Sequence, residues 1–165
     1  MLLDGGVRGS IQINIMGLGG RGRDPAWLNI RVKVTSRHGT HSGDSDCLES
    51  DEGCLLARWL IKIGEGRESK PTIYNPTDGI SFTEPYLGFH ILEAKPDSIR
   101  IEVWLGSPFL PPWVERRVAK GIVLTGREVD LKVDRQQLLV GGRGLLDEWK
   151  SVTGRKPEDV DSYPM

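Results

Sequence analysis

The chain has 165 residues, with 22 Lys and Arg against 23 Asp and Glu, which gives a formal net charge of −1. Glycine (21) and proline (10) form about a fifth of the chain, below the roughly 25–30% of low-complexity proteins, and they follow no triplet period, so collagen and wholesale disorder are excluded. The 38% hydrophobic content, with five Trp, is enough for the core of one ordinary domain, whereas the balanced charge gives no reason to expect a nucleic-acid partner.

The first third of the chain predicts two strands joined by a glycine-rich loop. Residues 11–16 alternate apolar and polar side chains, and residues 27–34 do so more clearly, with Leu28, Ile30, Val32 and Val34 on one face. Between them, residues 17–22 match the glycine spacing of a dinucleotide-binding loop. That loop requires a helix directly after it, and a strand follows instead, so the glycines predict an inter-strand loop.

A polar segment and a helix come next. Residues 36–46 are predicted to be a polar connection that leads to a short strand at 46–49. Ser50 is the predicted N-cap of a helix over about 51–63, because acidic residues follow it and apolar residues recur at helical spacing up to Gly64.

The second half of the chain predicts further strands and a second helix. Closely spaced strand patterns, which favour antiparallel pairing, occur at 79–83, 87–93, 98–105, 121–124 and 129–133. Asp134 is the predicted cap of a helix that Gly141, Gly142 and Gly144 interrupt, so this helix is expected to kink or to divide into two pieces.

These patterns predict a single α+β domain over residues 1–155, followed by a frayed tail over 156–165. The domain is expected to be a mostly antiparallel sheet of about seven strands, curved or sandwich-like, covered by two amphipathic helices. Trp59 and Trp149 fall on the apolar stripes of these helices and are the expected anchors.

Cysteine usage and the lack of targeting segments predict a cytoplasmic protein. Two cysteines cannot form the disulfide framework of a small secreted domain, and the sequence has neither a secretory signal pattern nor 18 consecutive apolar residues. Membrane association is therefore not expected.

Two histidines and two cysteines, residue types that bind zinc, follow one another within 17 residues: His38, His41, Cys47 and Cys54. Their spacing matches no common zinc pattern, so no metal and no cofactor are expected, and a zinc module remains an alternative. The sequence contains no nucleophile elbow, zinc-protease, Walker or kinase motif. We therefore expect no catalytic residues; a small enzyme that uses His38, His41 and a nearby acid is a second alternative.

The charged residues are unevenly distributed. Residues 1–40 are mainly basic, whereas residues 44–52 contain five acids and no base: Asp44, Asp46, Glu49, Asp51 and Glu52. Part of this acidity suits the positive end of a helix dipole. As a functional site, the acidic segment predicts docking to a basic surface on another protein.

The order of motifs resembles the WapI-type immunity proteins over about residues 10–150. The resemblance rests on an early strand with Trp27-Leu28, a Cys47-Leu48-Glu49 stretch before a helix with Trp59-Leu60, and a Pro-rich segment at 111–113. Its most specific part is the F-x-E-P-x-L-x-F pattern, in which Phe82, Glu84, Pro85 and Phe89 are expected to hold a strand corner together.

The resemblance implies a bacterial protein that neutralises the toxic domain of a wall-associated, contact-dependent toxin by binding it. It implies a protein partner and no enzymatic activity, and it assigns no contact residues. An adaptor or subunit of a larger bacterial assembly is the alternative that shares this binding logic.

Overall fold

The computed structural model describes residues 1–20, 27–67, 79–83, 86–113, 117–119, 122–124 and 126–160. These residues form two antiparallel sheets of four strands each, a two-stranded hairpin and two α-helices, which confirms the predicted α+β class with mostly antiparallel sheet. The described part of the chain contains ten strands rather than about seven. Four of the ten are only three residues long, too short to show an alternating pattern.

The first sheet has the strand order β1-β2-β3-β4, and each strand is antiparallel to its neighbour. Its strands are β1 (Leu2–Asp4), β2 (Ser10–Leu18), β3 (Trp27–Ser36) and β4 (Gly39–Glu49). Buried and solvent-facing side chains alternate along β2 and β3, as expected for a sheet with one face in the core. The predicted strands at 11–16 and 27–34 are confirmed.

Strand β4 corrects the prediction of a polar connection over 36–46. It is 11 residues long and pairs with β3 from Gly39 to Glu49. The pattern did not reveal it because β4 lies at the edge of its sheet and carries small polar residues. The segment around Pro108 passes close to β4 at Gly43, where a Cβ atom would lie 2.8 Å from the Pro108 carbonyl oxygen. This close approach requires glycine at position 43.

The second sheet and the hairpin come from the second half of the chain. Their strands are β5 (Gly79–Ser81), β6 (Leu87–Ala94), β7 (Ser98–Leu105), β8 (Arg117–Ala119), β9 (Ile122–Leu124) and β10 (Gly126–Asp134). The second sheet has the order β10-β7-β6-β5, and β8 pairs with β9. Long-range pairing with β7 places β10 at one edge of this sheet, directly before the second helix.

Helix α1 (Ser50–Gly64) lies within one residue of its predicted bounds. Its N-cap is Glu49 rather than Ser50, and the carboxylate of Glu52 accepts a hydrogen bond from the Glu49 backbone N–H at 2.8 Å. The helix packs on β3, β4 and the second helix.

Helix α2 (Arg135–Thr153) is one continuous helix, so the predicted division into two pieces at the glycines is wrong. Asp134 caps it as predicted, accepting a hydrogen bond from the Gln137 backbone N–H at 2.6 Å. Two of the three glycines, Gly141 and Gly142, lie where α2 meets other elements: a Cβ atom on Gly142 would be 2.9 Å from the Ala57 carbonyl oxygen in α1. Close packing of the two helices thus offsets the low helix propensity of glycine.

Both sheets and both helices contribute to one hydrophobic core among the described residues. Trp59 and Trp149 are 1% and 0% exposed, and the Trp59 ring lies 5.9 Å from that of Phe89 in β6, centroid to centroid. The Trp149 indole N–H donates to the Ser50 carbonyl at 2.6 Å, which joins α2 to the start of α1.

Beyond α2, a short 3-10 turn at Pro157–Asp159 precedes Val160, whose side chain is buried. Residues 161–165 lie outside the described residues, and the division into a domain over 1–155 and a tail over 156–165 stays a prediction. Neither helix in the described part of the chain is long and apolar enough to cross a membrane.

Candidate protein-binding surface

The face of the first sheet that points away from the core is covered by no helix or strand of the described residues. We call it the outer face. Its middle rows, read across β2, β3 and β4, consist of Gln12, Lys33 and Ser42; Asn14, Arg31 and Asp44; and Gly17, Asn29 and Asp46. It is mostly polar, with two exposed apolar side chains: Met16, at the β-bulge between Ile15 and Gly17, and Leu2 of β1, which pairs with Gln12.

Arg31 and Asp44 form a two-pronged ion pair at the centre of the outer face. Arg31 Nε and Nη2 each donate to one Asp44 oxygen at 2.7 Å. These hydrogen bonds hold the pKa of Asp44 below its usual value and raise the pKa of Arg31. Both side chains stay almost half exposed, so water screens the pair and its contribution to stability is small. The two charges compensate each other locally.

The other two charges of these rows are not paired with an opposite charge among the described residues. Asp46 accepts hydrogen bonds from neutral donors, the Asn29 side-chain amide at 2.7 Å and the Gly20 N–H at 3.1 Å. Lys33 is exposed, its cross-strand neighbours are the neutral Gln12 and Ser42, and no carboxylate of the described residues pairs with it. The outer face is therefore positive near Lys33 and negative near Asp46.

A shallow depression of about 470 Å³ opens on this face beside the bulge. Its lining residues are Gln12, Asn14, Ile15, Met16, Arg31, Lys33 and Glu148. Glu148 reaches it from α2 and accepts hydrogen bonds from the Ile15 N–H at 2.8 Å and the Asn14 amide at 3.2 Å. Helix α2 thereby fixes one rim of the depression.

The five acids of the predicted partner-binding segment fall into two groups. Asp44 and Asp46 lie on the outer face. Glu49, Asp51 and Glu52 surround the start of α1, where Asp51 is paired with Arg155 and Glu52 also accepts from the Thr83 N–H at 2.6 Å. Asp51 and Glu52 thus join α1 to neighbouring segments, and Glu49 caps the helix. That any of the five acids contacts a partner stays a prediction.

The residues of the F-x-E-P-x-L-x-F pattern are placed in part. Phe82 and Phe89 are 8% and 2% exposed and belong to the core, whereas Glu84 and Pro85 lie outside the described residues. The predicted strand corner is therefore described only at its two phenylalanines.

The four residues of the zinc alternative are not brought together. Cys47 and Cys54 are buried, and burial raises the pKa of the Cys54 thiol. The His41 ring contacts the Pro108 carbonyl at 3.3 Å, and the exposed His38 ring accepts from Arg37 Nε at 3.1 Å. Within the described ranges, no three His, Cys, Asp or Glu side chains are positioned to hold a metal ion.

The sequence interpretation missed a cluster on the second sheet. His90 and Glu102 are cross-strand neighbours on β6 and β7, with His90 Nδ1 3.7 Å from a Glu102 oxygen. Trp104 Nε1 donates to the same oxygen at 2.6 Å, and Glu102 is only 3% exposed. Alternation places each residue on the polar side of its own strand, but only the register between the strands brings them together.

Comparison with known proteins identifies the family. The Immunity protein WapI-like family matches residues 2–157, nearly the whole chain. No curated protein matches the chain. No solved structure matches it either. The chain therefore belongs to the WapI-like immunity protein family.

Proposed function

We propose that this chain is a bacterial immunity protein that neutralises a toxin domain by binding it stoichiometrically. Membership of the WapI-like immunity protein family, over residues 2–157, is the observation that carries the proposal. The toxin is a contact-dependent one delivered into the cell, and the immunity protein acts on it in the cytoplasm.

The outer face supports a binding role. Four hydrogen-bonded strands make it stiff, so little conformational entropy is lost when a partner docks on it. Its charges of both signs suit a partner surface with the opposite arrangement, because electrostatic complementarity speeds association and selects the correct partner. Of the predicted acidic contacts, we propose that Asp44 and Asp46 take part, since both are exposed on this face.

The surroundings of the candidate catalytic histidines favour inhibition without catalysis. A histidine that acts as a general base is usually oriented by a carboxylate and placed near a nucleophile or a substrate. Neither His38 nor His41 contacts a carboxylate of the described residues; their ring nitrogens contact Arg37 and the Pro108 carbonyl. These contacts do not support an enzyme that uses His38 and His41, and we propose, from the family, that the protein acts as a stoichiometric inhibitor.

Co-expression with the toxin domain encoded beside it tests this proposal. Cells that produce the toxin domain together with this protein are expected to survive, and cells that produce the toxin alone are expected to die. The doubly substituted Trp59→Ala, Trp149→Ala chain, which is expected not to fold, is the control for expression of an unrelated polypeptide. Equal rates of death with and without the wild-type chain would contradict the proposed function.

A further inference from the structure

The outer face has a definite electrical polarity. Lys33 supplies a positive charge at one end, Asp46 a negative charge at the other, and the Arg31–Asp44 pair between them is internally neutral. Asp46 is the cross-strand neighbour of Asn29, four residues from Lys33 along β3. At about 3.3 Å per residue, the two charged positions are roughly 13 Å apart.

We propose that the outer face is the docking surface for the toxin domain. The toxin contributes a carboxylate opposite Lys33, a cationic side chain opposite Asp46 and an apolar side chain against Met16. The inference rests on the proposed function and adds to it the surface used and the chemistry of the partner.

The charges determine which partner fits and how it is oriented. A uniformly basic partner would gain at Asp46 and lose at Lys33, and a uniformly acidic one would do the reverse. Only a surface with both charges in the opposite order gains at both positions, since like charges placed together cost free energy. Because the Arg31–Asp44 pair is already neutral, it can be covered without an ion on the partner side.

Met16 supplies the apolar contact. The β-bulge between Ile15 and Gly17 places this residue out of the regular pairing, and its side chain is 49% exposed at the edge of the depression. Methionine is flexible and polarizable and therefore adapts to the shape of a partner side chain. An apolar residue beside a depression, framed by polar residues, is the usual arrangement at the centre of an interface.

The test measures binding to a catalytically inactivated form of the toxin domain encoded beside this chain. Lys33→Glu, which reverses one charge, and Met16→Ala, which removes the apolar contact, are each expected to weaken the Kd about tenfold or more. Asp46→Asn removes the charge and keeps one of the two acceptor oxygens, so it retains the hydrogen bond from Asn29 or from Gly20 but not both. It is expected to weaken binding in the same direction. The matched control is Lys132→Glu, the same change at an exposed position on β10 of the second sheet.

Folding and charge effects are measured separately. Lys33, Met16 and Lys132 are all exposed, so each variant is expected to unfold at the wild-type temperature in a thermal scan. Lys33→Glu is also expected to reduce the dependence of the association rate on salt, since it removes one attractive charge pair.

Each outcome decides between the two proposals. If the wild-type chain binds and Lys33→Glu and Met16→Ala bind equally well, the outer face is not the docking surface, while the proposed function stands. A loss as large in Lys132→Glu as in Lys33→Glu would likewise overturn the assignment to this face. If the wild-type chain neither binds the toxin domain nor protects cells, the proposed function fails and the docking surface fails with it.

Discussion

Two glycines of α2 provide a direct test of how closely the helices pack. A Cβ atom on Gly142 would lie 2.9 Å from the Ala57 carbonyl oxygen and 3.1 Å from the Ile61 backbone nitrogen, both in α1. Backbone atoms cannot rotate aside, so the helices would have to separate. A Cβ atom on Gly144, two residues further along the same helix, would have no neighbour within 4 Å.

The same substitution is therefore expected to have opposite effects at the two positions. Alanine favours a helix over glycine by about 1 kcal/mol, so Gly144→Ala should raise the free energy of unfolding by roughly that amount. Gly142→Ala gains the same term but overpacks the helix interface, which costs about 1–3 kcal/mol. The net result is a loss of up to about 2 kcal/mol, and the two variants should differ by about 1–3 kcal/mol.

Urea unfolding followed by tryptophan fluorescence measures both free energies. Thermal melts provide a second measurement, in which about 1 kcal/mol corresponds to roughly 2–4 °C for a chain of this size. If Gly142→Ala were as stable as Gly144→Ala, the close contact between α1 and α2 would be wrong.

Three further predictions concern the core and the pH response. Trp59→Ala should cost about 3–5 kcal/mol, because Trp59 is buried against Phe89; an unchanged circular-dichroism melt would contradict the packing of α1 on the second sheet. The hydrogen bonds from Arg100 lower the pKa of Asp130 in the folded state, so the pair stabilises the fold above about pH 4 and this contribution disappears as the pH falls through the lowered pKa. As the pH drops below about 4, the midpoint of urea unfolding should therefore fall less steeply in the Asp130→Asn variant than in the wild-type chain. Identical curves of midpoint against pH for the two chains would refute the pairing. Burial raises the pKa of the Cys54 thiol, so it should react with a thiol reagent at pH 8 much more slowly in the folded chain than in urea; equal rates would show that it is accessible.

Strong periodicity predicted the elements that have one buried face. The alternation over 27–34 located β3, and the helical spacing around Trp59 located α1 to within a residue. In both elements the residues that contact the core are apolar and regularly spaced, so the element can be predicted from the local sequence.

The elements that the sequence did not predict depend on contacts between distant residues. Gly142 carries a helix-breaking signal in isolation, and only the backbone of α1 beside it explains its place inside a continuous helix. Strand β4 is set by pairing with β3 and by the segment around Pro108.

The candidate site shows the same division. The sequence identified Asp44 and Asp46 as surface acids, but not that Arg31 neutralises the first or that the second shares a face with Lys33 and Met16. The register between β2, β3 and β4 determines which of these residues are neighbours, and this register cannot be predicted from a local sequence pattern.

The most direct test of the central claim is a titration of the purified toxin domain with the purified chain at concentrations well above the Kd. A stoichiometric inhibitor predicts that toxin activity falls linearly and vanishes at about one molar equivalent, independent of the time of incubation. Loss of activity that grows with time at a small fraction of an equivalent would indicate catalysis, and full activity at a large excess would contradict an immunity function altogether.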